Sequence, residues 1–341
     1  MHSVPLVDTT RGYPDRGFTV ENVHMGSVAV TDRAGKLLWY AGNPDQMSFT
    51  RSALKPFQAL PFVLADGPAR LGLSQGELAM LCASHSGEDK HVQAVQAILS
   101  KIGMDESHLA CGCHAPTFYE HTGQPVPQDR RWNQLHHNCS GKHSGFLSWC
   151  RLHDVPSARY VDPGHQLQQE VRRTLAMAAG MQESDMPMGM DGCSAPNYGM
   201  PLSRLAYLYA RLAQGRADPV LGGAMGDLAG AMTAHPDLVS GTARSDLAYM
   251  RAGGGDWVAK VGADAVQTLG IRSAGLGIAI KIADGAMRAL PCATYSVLDQ
   301  LGLLDEGRRG LLAAYREPAI KSIAGATVGH IRAVFTLQRA A

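Results

Sequence analysis

The first segment whose residue types could do chemistry is Arg51–Lys55, in which Ser52 and Lys55 lie three positions apart. On a helix this spacing places the hydroxyl and the amine on one face, one turn apart. A serine hydroxyl is a weak nucleophile, and a lysine can take its proton when burial or nearby positive charge lowers the lysine pKa. A helix amino terminus also favours a developing oxyanion. Because Ser-x-x-Lys often occurs by chance, it indicates a nucleophile only in combination with other motifs.

Two further segments concentrate reactive side chains. His136–Gly145 contains thiol, imidazole, amine and hydroxyl groups around two glycines, and Met190–Asn197 adds a cysteine and an aspartate. A purely structural loop rarely needs so many reactive groups. Cys139 and Cys193 are candidates to share a zinc ion as thiolates, although neither forms a Cys-x-x-Cys pair, so spacing alone leaves a metal-free alternative open.

Two shorter motifs complete the candidate chemistry. Cys82–Gly87 contains Ser84 directly after an apolar helix, which is typical either of a loop at a pocket or of a capped helix end. Lys260 and Gly262 lie in a predicted strand, and Ser-x-x-Lys hydrolases of the penicillin-recognising type present a second lysine as Lys-x-Gly on a strand. The alternative for Lys260 is an exposed strand residue. Ser-x-x-Lys early and Lys-x-Gly late favour a related fold.

The elements that must position these residues follow from hydrophobic periodicity. Helix is predicted from about Arg51 to Ala65, with Pro56 in its first turn and Ser52 at its start. Ser74 and Glu77 form a predicted capping box. Further helices are expected at Asp89–Ile102, Gly164–Ala178, Pro201–Gln214, Val220–His235 and Ala286–Leu301. Strands are expected at Ser27–Val30 and Lys36–Tyr40, as a hairpin, and at Trp257–Gly262, Leu276–Ile282 and His330–Leu337.

Strands towards both ends, with helices between them, predict an α+β fold in αβα layers, with a central antiparallel sheet flanked by helices. We expect one catalytic domain over residues 1–341. Its sheet part comprises residues 18–60 and 250–341, and residues 61–249 are mainly helical.

Composition excludes several classes of protein. Lys and Arg total 31 against 30 Asp and Glu, without long runs of either sign, so a nucleic-acid partner is not expected. No window reaches the roughly 20 apolar residues of a membrane span, and the first 18 residues lack the apolar stretch of a secretory signal. We therefore expect a cytoplasmic protein that does not contact membranes. Seven irregularly spaced cysteines make a poor disulfide framework.

Six segments in order make the chain resemble the L-asparaginase II family of the serine–lysine, zinc-binding (rhizobial) type. Together they extend over nearly the whole chain, and their order makes the resemblance specific. The segments are Arg51–Gln58, Ala83–Glu88, Asn138–Gly145, Asp191–Pro196, Ala259–Ala263 and Gly277–Ala289.

The resemblance implies a fold like that of serine β-lactamases and glutaminases, and a homodimer. It pairs Ser52 with Lys55 and Ser84 with Lys260 as catalytic groups, and it leaves open which serine is the nucleophile. Zinc is the implied cofactor, and a lysine among its ligands must bind as the neutral amine. The implied ligands are Cys139, Lys142 and Cys193. The implied substrate-handling residues are Arg51, His143 and Asp191. The remaining candidate thiols, Cys111 and Cys113, are interpreted as structural.

The function implied by the resemblance is hydrolysis of the side-chain amide of L-asparagine to L-aspartate and ammonia. One alternative keeps the same machinery but acts on glutamine, a short peptide or a β-lactam. Another is a catalytically inactive zinc-binding regulatory protein, against which the presence of both serines and both lysines argues.

Overall fold

Residues 2–341 are described by the computed structural model, in which strands from both ends of the chain form an entirely antiparallel sheet. The strands are β1 (Val4–Tyr13), β2 (Gly17–Asp32), β3 (Leu37–Ala41), β4 (Met47–Phe49), β5 (Met188–Met190), β6 (Pro196–Pro201), β7 (Trp257–Gly262), β8 (Val266–Ile271), β9 (Leu276–Ile282), β10 (Ala319–Lys321), β11 (Thr327–Ala333) and β12 (Gln338–Arg339).

The main sheet has the order β10-β11-β1-β2-β9-β8-β7, and β3 pairs with both β2 and β12. The long strand β2 holds it together, since Val28–Thr31 pairs with β3 on one side and β9 on the other. A second, three-stranded sheet has the order β4-β6-β5.

Most of the helices lie between β4 and β7 along the chain. They are α1 (Lys55–Leu64), α2 (Gly67–Arg70), α3 (Gln75–Leu81), α4 (Asp89–Lys101), α5 (Phe118–Thr122), α6 (Ser140–Leu152), α7 (Gln166–Ala179), α8 (Leu202–Gln214), α9 (Gly222–Ala234), α10 (Pro236–Val239), α11 (Ser245–Gly253), α12 (Leu290–Gln300), α13 (Glu306–Leu311) and α14 (Ala313–Arg316).

Both faces of the main sheet are covered. In β9 the successive residues Ile278, Ala279 and Ile280 point to alternate faces, and all are fully buried. Helix α8 packs directly on β8 and β9, because a Cβ at Gly270 or Gly277 would collide with backbone oxygens of α8. This close approach buries β8, which pairs with the Lys260 strand β7, inside the molecule.

The α+β prediction, with an antiparallel sheet built from both chain ends and flanked by helices, is confirmed. The hairpin, the capping box of Ser74 and Glu77, and the strands at Trp257–Gly262 and Leu276–Ile282 are also confirmed. The helices predicted between residues 89 and 235 are present within a few residues of their expected ends.

Several boundaries were wrong. The sheet begins at Val4, not near residue 18, and the β8 strand was not predicted. The last long strand is Thr327–Ala333, not His330–Leu337, and the final amphipathic helix begins at Leu290. The helix expected from Arg51 starts as a 3-10 turn, Arg51–Leu54, and becomes α-helical only at Lys55.

Within residues 2–341, no helix is both long and apolar enough to cross a membrane.

Candidate active site

Ser52 lies on the 3-10 turn between β4 and α1, and its side chain is partly exposed. The preceding residue, Arg51, has a φ of 51°, a left-handed conformation that is unfavourable for a residue with a side chain. Surrounding contacts compensate for this strain: the Arg51 N–H donates to Asn197, and Thr50 Oγ1 donates to the Tyr198 carbonyl at 2.8 Å. The turn is thus held against β6.

Gly262 lets the same turn approach β7. A Cβ at this position would lie 2.7 Å from the Thr50 oxygen and 3.3 Å from the Ala53 nitrogen. Because only glycine leaves that space free, the Lys-x-Gly motif brings the Ser52 turn and the Lys260 strand together.

Lys55 is fully buried at the first position of α1. Its Nζ lies 2.8 Å from Ser84 Oγ, 2.6 Å from the Ala83 oxygen and 3.4 Å from the Asn138 oxygen. No carboxylate is among these partners, and neither is Ser52, within the described residues. The direct hydroxyl contact of Lys55 is therefore with Ser84.

Ser84 is buried in the loop after α3. Its N–H donates to the Val239 oxygen at 3.0 Å, and the next N–H, of His85, donates to Asn138. These bonds fix the loop between α10 and the segment that leads into α6.

Lys260 is also fully buried, on β7. Its Nζ donates to the Val261 oxygen at 2.9 Å and lies 3.5 Å from Oδ2 of Asp246, a buried residue in the first turn of α11. Asp246 also accepts hydrogen bonds from the Val261 N–H and the Gln267 amide.

Burial favours the neutral form of both amines. It lowers the pKa of Lys55. It lowers the pKa of Lys260 to about 7, aided by the charges of Lys55 and Arg244 and opposed by Asp246. An amine with a pKa near neutrality can accept a proton from a hydroxyl, as general-base chemistry requires.

The thiols of Cys139 and Cys193 and the amine of Lys142 form a second buried cluster. Cys139 directly precedes α6, Lys142 lies in its first turn, and Cys193 lies between β5 and β6. Lys142 Nζ is 2.9 Å from Cys193 Sγ. The Cys139 thiol and the Lys142 charge lower the pKa of Cys193, while hydrogen bonding to Cys193 raises that of Cys139. Burial acts to lower the pKa of Lys142, but Cys193, Cys139 and Asp191 together outweigh it and raise that pKa.

Two convergent thiols and an amine are a donor set that suits zinc, which prefers sulfur and nitrogen ligands. Within residues 2–341, no three histidine, cysteine, aspartate or glutamate side chains are grouped to hold a metal ion. A three-ligand metal site here therefore depends on Lys142. Cys111 is buried and Cys113 is exposed, and neither forms a disulfide.

The predicted substrate-handling residues border these groups. Arg51 forms an ion pair with Asp191 at 2.9 Å and a second one with Asp264, which ties the loop before Cys193 to the Ser52 turn. His143 is buried one residue after Lys142. Its Nδ1 lies 2.7 Å from the Tyr160 hydroxyl, and its Nε2 has no hydrogen-bond partner within residues 2–341. Burial lowers its pKa to about 4.

A cavity of about 380 Å³ adjoins this region. It is lined by Arg51, Asn197 and Asp264 together with apolar residues that include Phe49 and Met190. Of the predicted site residues only Arg51 lines it, so the lysine and thiol groups of the site lie outside this cavity.

The family model of L-asparaginase II matches residues 13–333, which include every residue described above as part of the site. The chain belongs to the L-asparaginase II family. No curated protein sequence matches it. Among solved structures, it is similar to a β-lactamase from Mycobacterium bovis, with 16% identity, coverage of 81% of this chain and 94% of that one, and a TM-score of 0.42.

Membership in the L-asparaginase II family supports an amidohydrolase of the asparaginase kind acting on a small molecule. Two contacts of this L-asparaginase II chain were not predicted from its sequence. Asp246 contacts Lys260, and Tyr160 contacts His143. Both Asp246 and Tyr160 lie in segments with no recognisable motif. An aspartate in the first turn of a helix normally indicates only a favourable interaction with the helix dipole.

Proposed function

We propose that this protein hydrolyses the side-chain amide of L-asparagine to L-aspartate and ammonia through a serine–lysine acyl transfer. The observation that carries the proposal is the fully buried Lys55 amine, 2.8 Å from a serine hydroxyl and without a carboxylate partner. Burial favours the neutral amine, which is the form able to act as a base. Family membership supports the reaction class.

In the proposed reaction Ser52 is the nucleophile. Neutral Lys55 takes the Ser52 proton, directly or through Ser84, as the serine oxygen attacks the amide carbon. Lys55 then passes this proton to the amide nitrogen as the carbon–nitrogen bond breaks, so that ammonia leaves and an aspartyl ester remains on Ser52. Water, deprotonated by the same lysine, cleaves this ester and restores the hydroxyl. Ser84 and Lys260 supply and remove protons beside Lys55.

Ser84 is the competing nucleophile, because its hydroxyl is the one in contact with Lys55. We assign the nucleophile to Ser52 because a nucleophile must reach the substrate. The Ser52 side chain is partly exposed, whereas that of Ser84 is buried.

Zinc is the proposed cofactor, with Cys139, Lys142 and Cys193 as the residues that would hold it. When bound, the metal would supply a positive charge that orders the wall of the site, and two thiolates would make it a weak Lewis acid. Arg51 and Asp191 bind and orient the substrate, and His143 steadies this wall through Tyr160. The homodimer and the cytoplasmic location stay predictions.

Ammonia release from L-asparagine, L-glutamine and a short peptide amide, together with ring opening of a β-lactam followed by absorbance, tests the proposal. We expect wild-type protein to release ammonia from L-asparagine at the highest kcat/KM. A preference for glutamine, or ring opening of the β-lactam, would identify a different substrate for the same machinery. No turnover of any of the four compounds would favour the zinc-binding regulatory alternative.

Ser52→Ala should reduce kcat by about a thousandfold or more, because it removes the attacking oxygen. The substitution lies on a partly exposed turn, so Tm and metal content should stay near the wild-type values. Ser84→Ala, which removes only the proton relay, should retain more activity. A well-folded Ser52→Ala variant with substantial activity, beside an inactive Ser84→Ala variant, would exchange the two roles.

A further inference from the structure

Arg244 lies where the chain passes between the two lysine-bearing parts of the site. It immediately precedes α11, and five residues before it the Val239 oxygen accepts the Ser84 N–H. Two residues after it, Asp246 approaches the Lys260 amine at 3.5 Å. Thr242 donates both its N–H and its hydroxyl to Glu88 at 2.8 Å. The segment around Arg244 is therefore anchored on both sides of the site.

The Arg244 guanidinium is partly buried and carries an unpaired charge. Within residues 2–341 it takes part in no ion pair and no side-chain hydrogen bond. The acids whose charges act on it are Asp246 and Glu120, and Asp246 already accepts hydrogen bonds from the Lys260 strand and Gln267. Burial without a partner is costly for a guanidinium, and it lowers the pKa of Arg244. A bound anion would relieve that cost.

Arg244 acts on the site electrostatically. Its positive charge contributes to the lowered pKa of Lys260 and of His85, the residue next to Ser84. Arg51, the other arginine of the site, is already paired with Asp191 and Asp264. Of these two arginines, Arg244 is thus the one whose donors are free for a carboxylate.

We propose that Arg244 binds the α-carboxylate of the amino-acid substrate. This inference rests on the proposed function and names the group that recognises the substrate's main-chain acid. A planar guanidinium matches a carboxylate with two parallel hydrogen bonds, a geometry that lysine cannot reproduce fully. The anchor would hold the substrate with its amide directed towards the serines, so that compounds with an amide but no α-carboxylate bind poorly.

Arg244→Gln tests the assignment by comparing L-asparagine with 3-aminopropanamide, which has the same amide and amine but no α-carboxylate. We expect kcat/KM for L-asparagine to fall by about a hundredfold, mainly through KM, because a charge-assisted bidentate contact is lost. Both substrates are compared at a pH above the ascending limb, where the lysines are neutral with or without the Arg244 charge, and there the value for 3-aminopropanamide should be the same in variant and wild type. Arg244→Lys should recover part of the loss.

Arg251→Gln is the matched control, since Arg251 is exposed on α11, the helix that Arg244 precedes, and its loss changes the net charge equally. It should behave as wild type. Equal losses on both substrates, a loss of kcat with unchanged KM, or an equal loss in Arg251→Gln would overturn the inference while leaving the proposed function intact.

Calorimetric binding of L-aspartate separates the two proposals without requiring turnover. We expect L-aspartate to bind wild type about a hundredfold more tightly than Arg244→Gln, with both proteins showing the same Tm. Binding that is lost in the variant would support Arg244 even if wild type released no ammonia. Equal affinities in the two proteins would refute the assignment.

Discussion

Lys55 and Lys260 are two fully buried amines of one site, and the charge of Lys55 disfavours protonation of Lys260. Burial is the larger cause for both, and it lowers the pKa of Lys260 to about 7. Asp246 opposes this effect for Lys260, and the Cys139 and Cys193 thiols oppose it for Lys55. Lys55 is the better placed general base because its amine contacts the Ser84 hydroxyl directly.

Activity should rise with pH through a limb centred at or above about pH 7. Below its pKa an amine carries a proton and cannot accept another, so the rate must increase as each lysine becomes neutral. Measured kcat across pH 5 to pH 10 should show this, and Lys260→Met should move the limb. A histidine base would act at lower pH, since burial lowers the pKa of His143 to about 4. A limb centred below pH 6 that persists in Lys260→Met would exclude lysine control.

For individual residues, the sequence predicts contacts between near neighbours in the chain better than contacts between distant residues. Ser52 and Lys55 could be recognised because their spacing of three residues is itself the motif. The Ser84 contact of Lys55 joins residues 29 positions apart, and Asp246 reaches Lys260 from a different element. Such contacts depend on how elements pack, which no local spacing encodes.

Among the elements, the 3-10 turn of Ser52 and the strand of Lys260 are joined by one close approach at Gly262. Gly262→Ala should therefore displace the turn, because the new Cβ would meet backbone atoms that cannot rotate away. We expect kcat to fall by about tenfold to a hundredfold, since small misplacements of reacting groups are costly, with roughly 1–3 kcal/mol of destabilisation from overpacking.

Gly223→Ala is the control for this element-scale prediction. Gly223 is an exposed residue of α9, and a Cβ there meets no atom within 4 Å. Its kcat should be unchanged and its stability equal or slightly higher, because alanine favours a helix. Wild-type kcat in a folded Gly262→Ala variant would show that the close approach does not position Ser52.

Prediction of the elements failed where polar residues are buried. Strand β1 contains Asp8, Thr9 and Thr10, all buried, so its sequence lacks an apolar alternation. The structural reason is pairing with β11 from the other end of the chain, where Arg332 donates to Asp8 at 2.7 Å. A strand stabilised by a residue 324 positions away cannot be recognised from its own ten residues.

In the whole molecule, the Cys139–Lys142 segment and Cys193 bring together the start of α6 and the loop between β5 and β6. Lys142 and Cys193 are 51 residues apart and meet at 2.9 Å. The general α+β organisation was predictable because it needs only the order of strands and helices along the chain. The convergence of these thiols and this amine was implied only by resemblance, since irregular spacing does not specify which cysteines meet.

Removal of metal should destabilise the whole molecule, because a ligand that binds the folded chain and not the unfolded chain raises its stability. We expect about one zinc ion per chain by elemental analysis, and a Tm lower by roughly 5 °C after chelation. Cys193→Ser should lose the metal and its response to chelation, because a serine hydroxyl stays protonated at neutral pH.

The control is Cys113→Ser, which alters an exposed thiol outside the cluster and should keep both the metal and the response to chelation. Retention of zinc by Cys193→Ser, or its loss from Cys113→Ser, would place the metal elsewhere. Absence of zinc from protein purified without chelator, together with no gain in Tm on adding it, would remove the metal from the proposal.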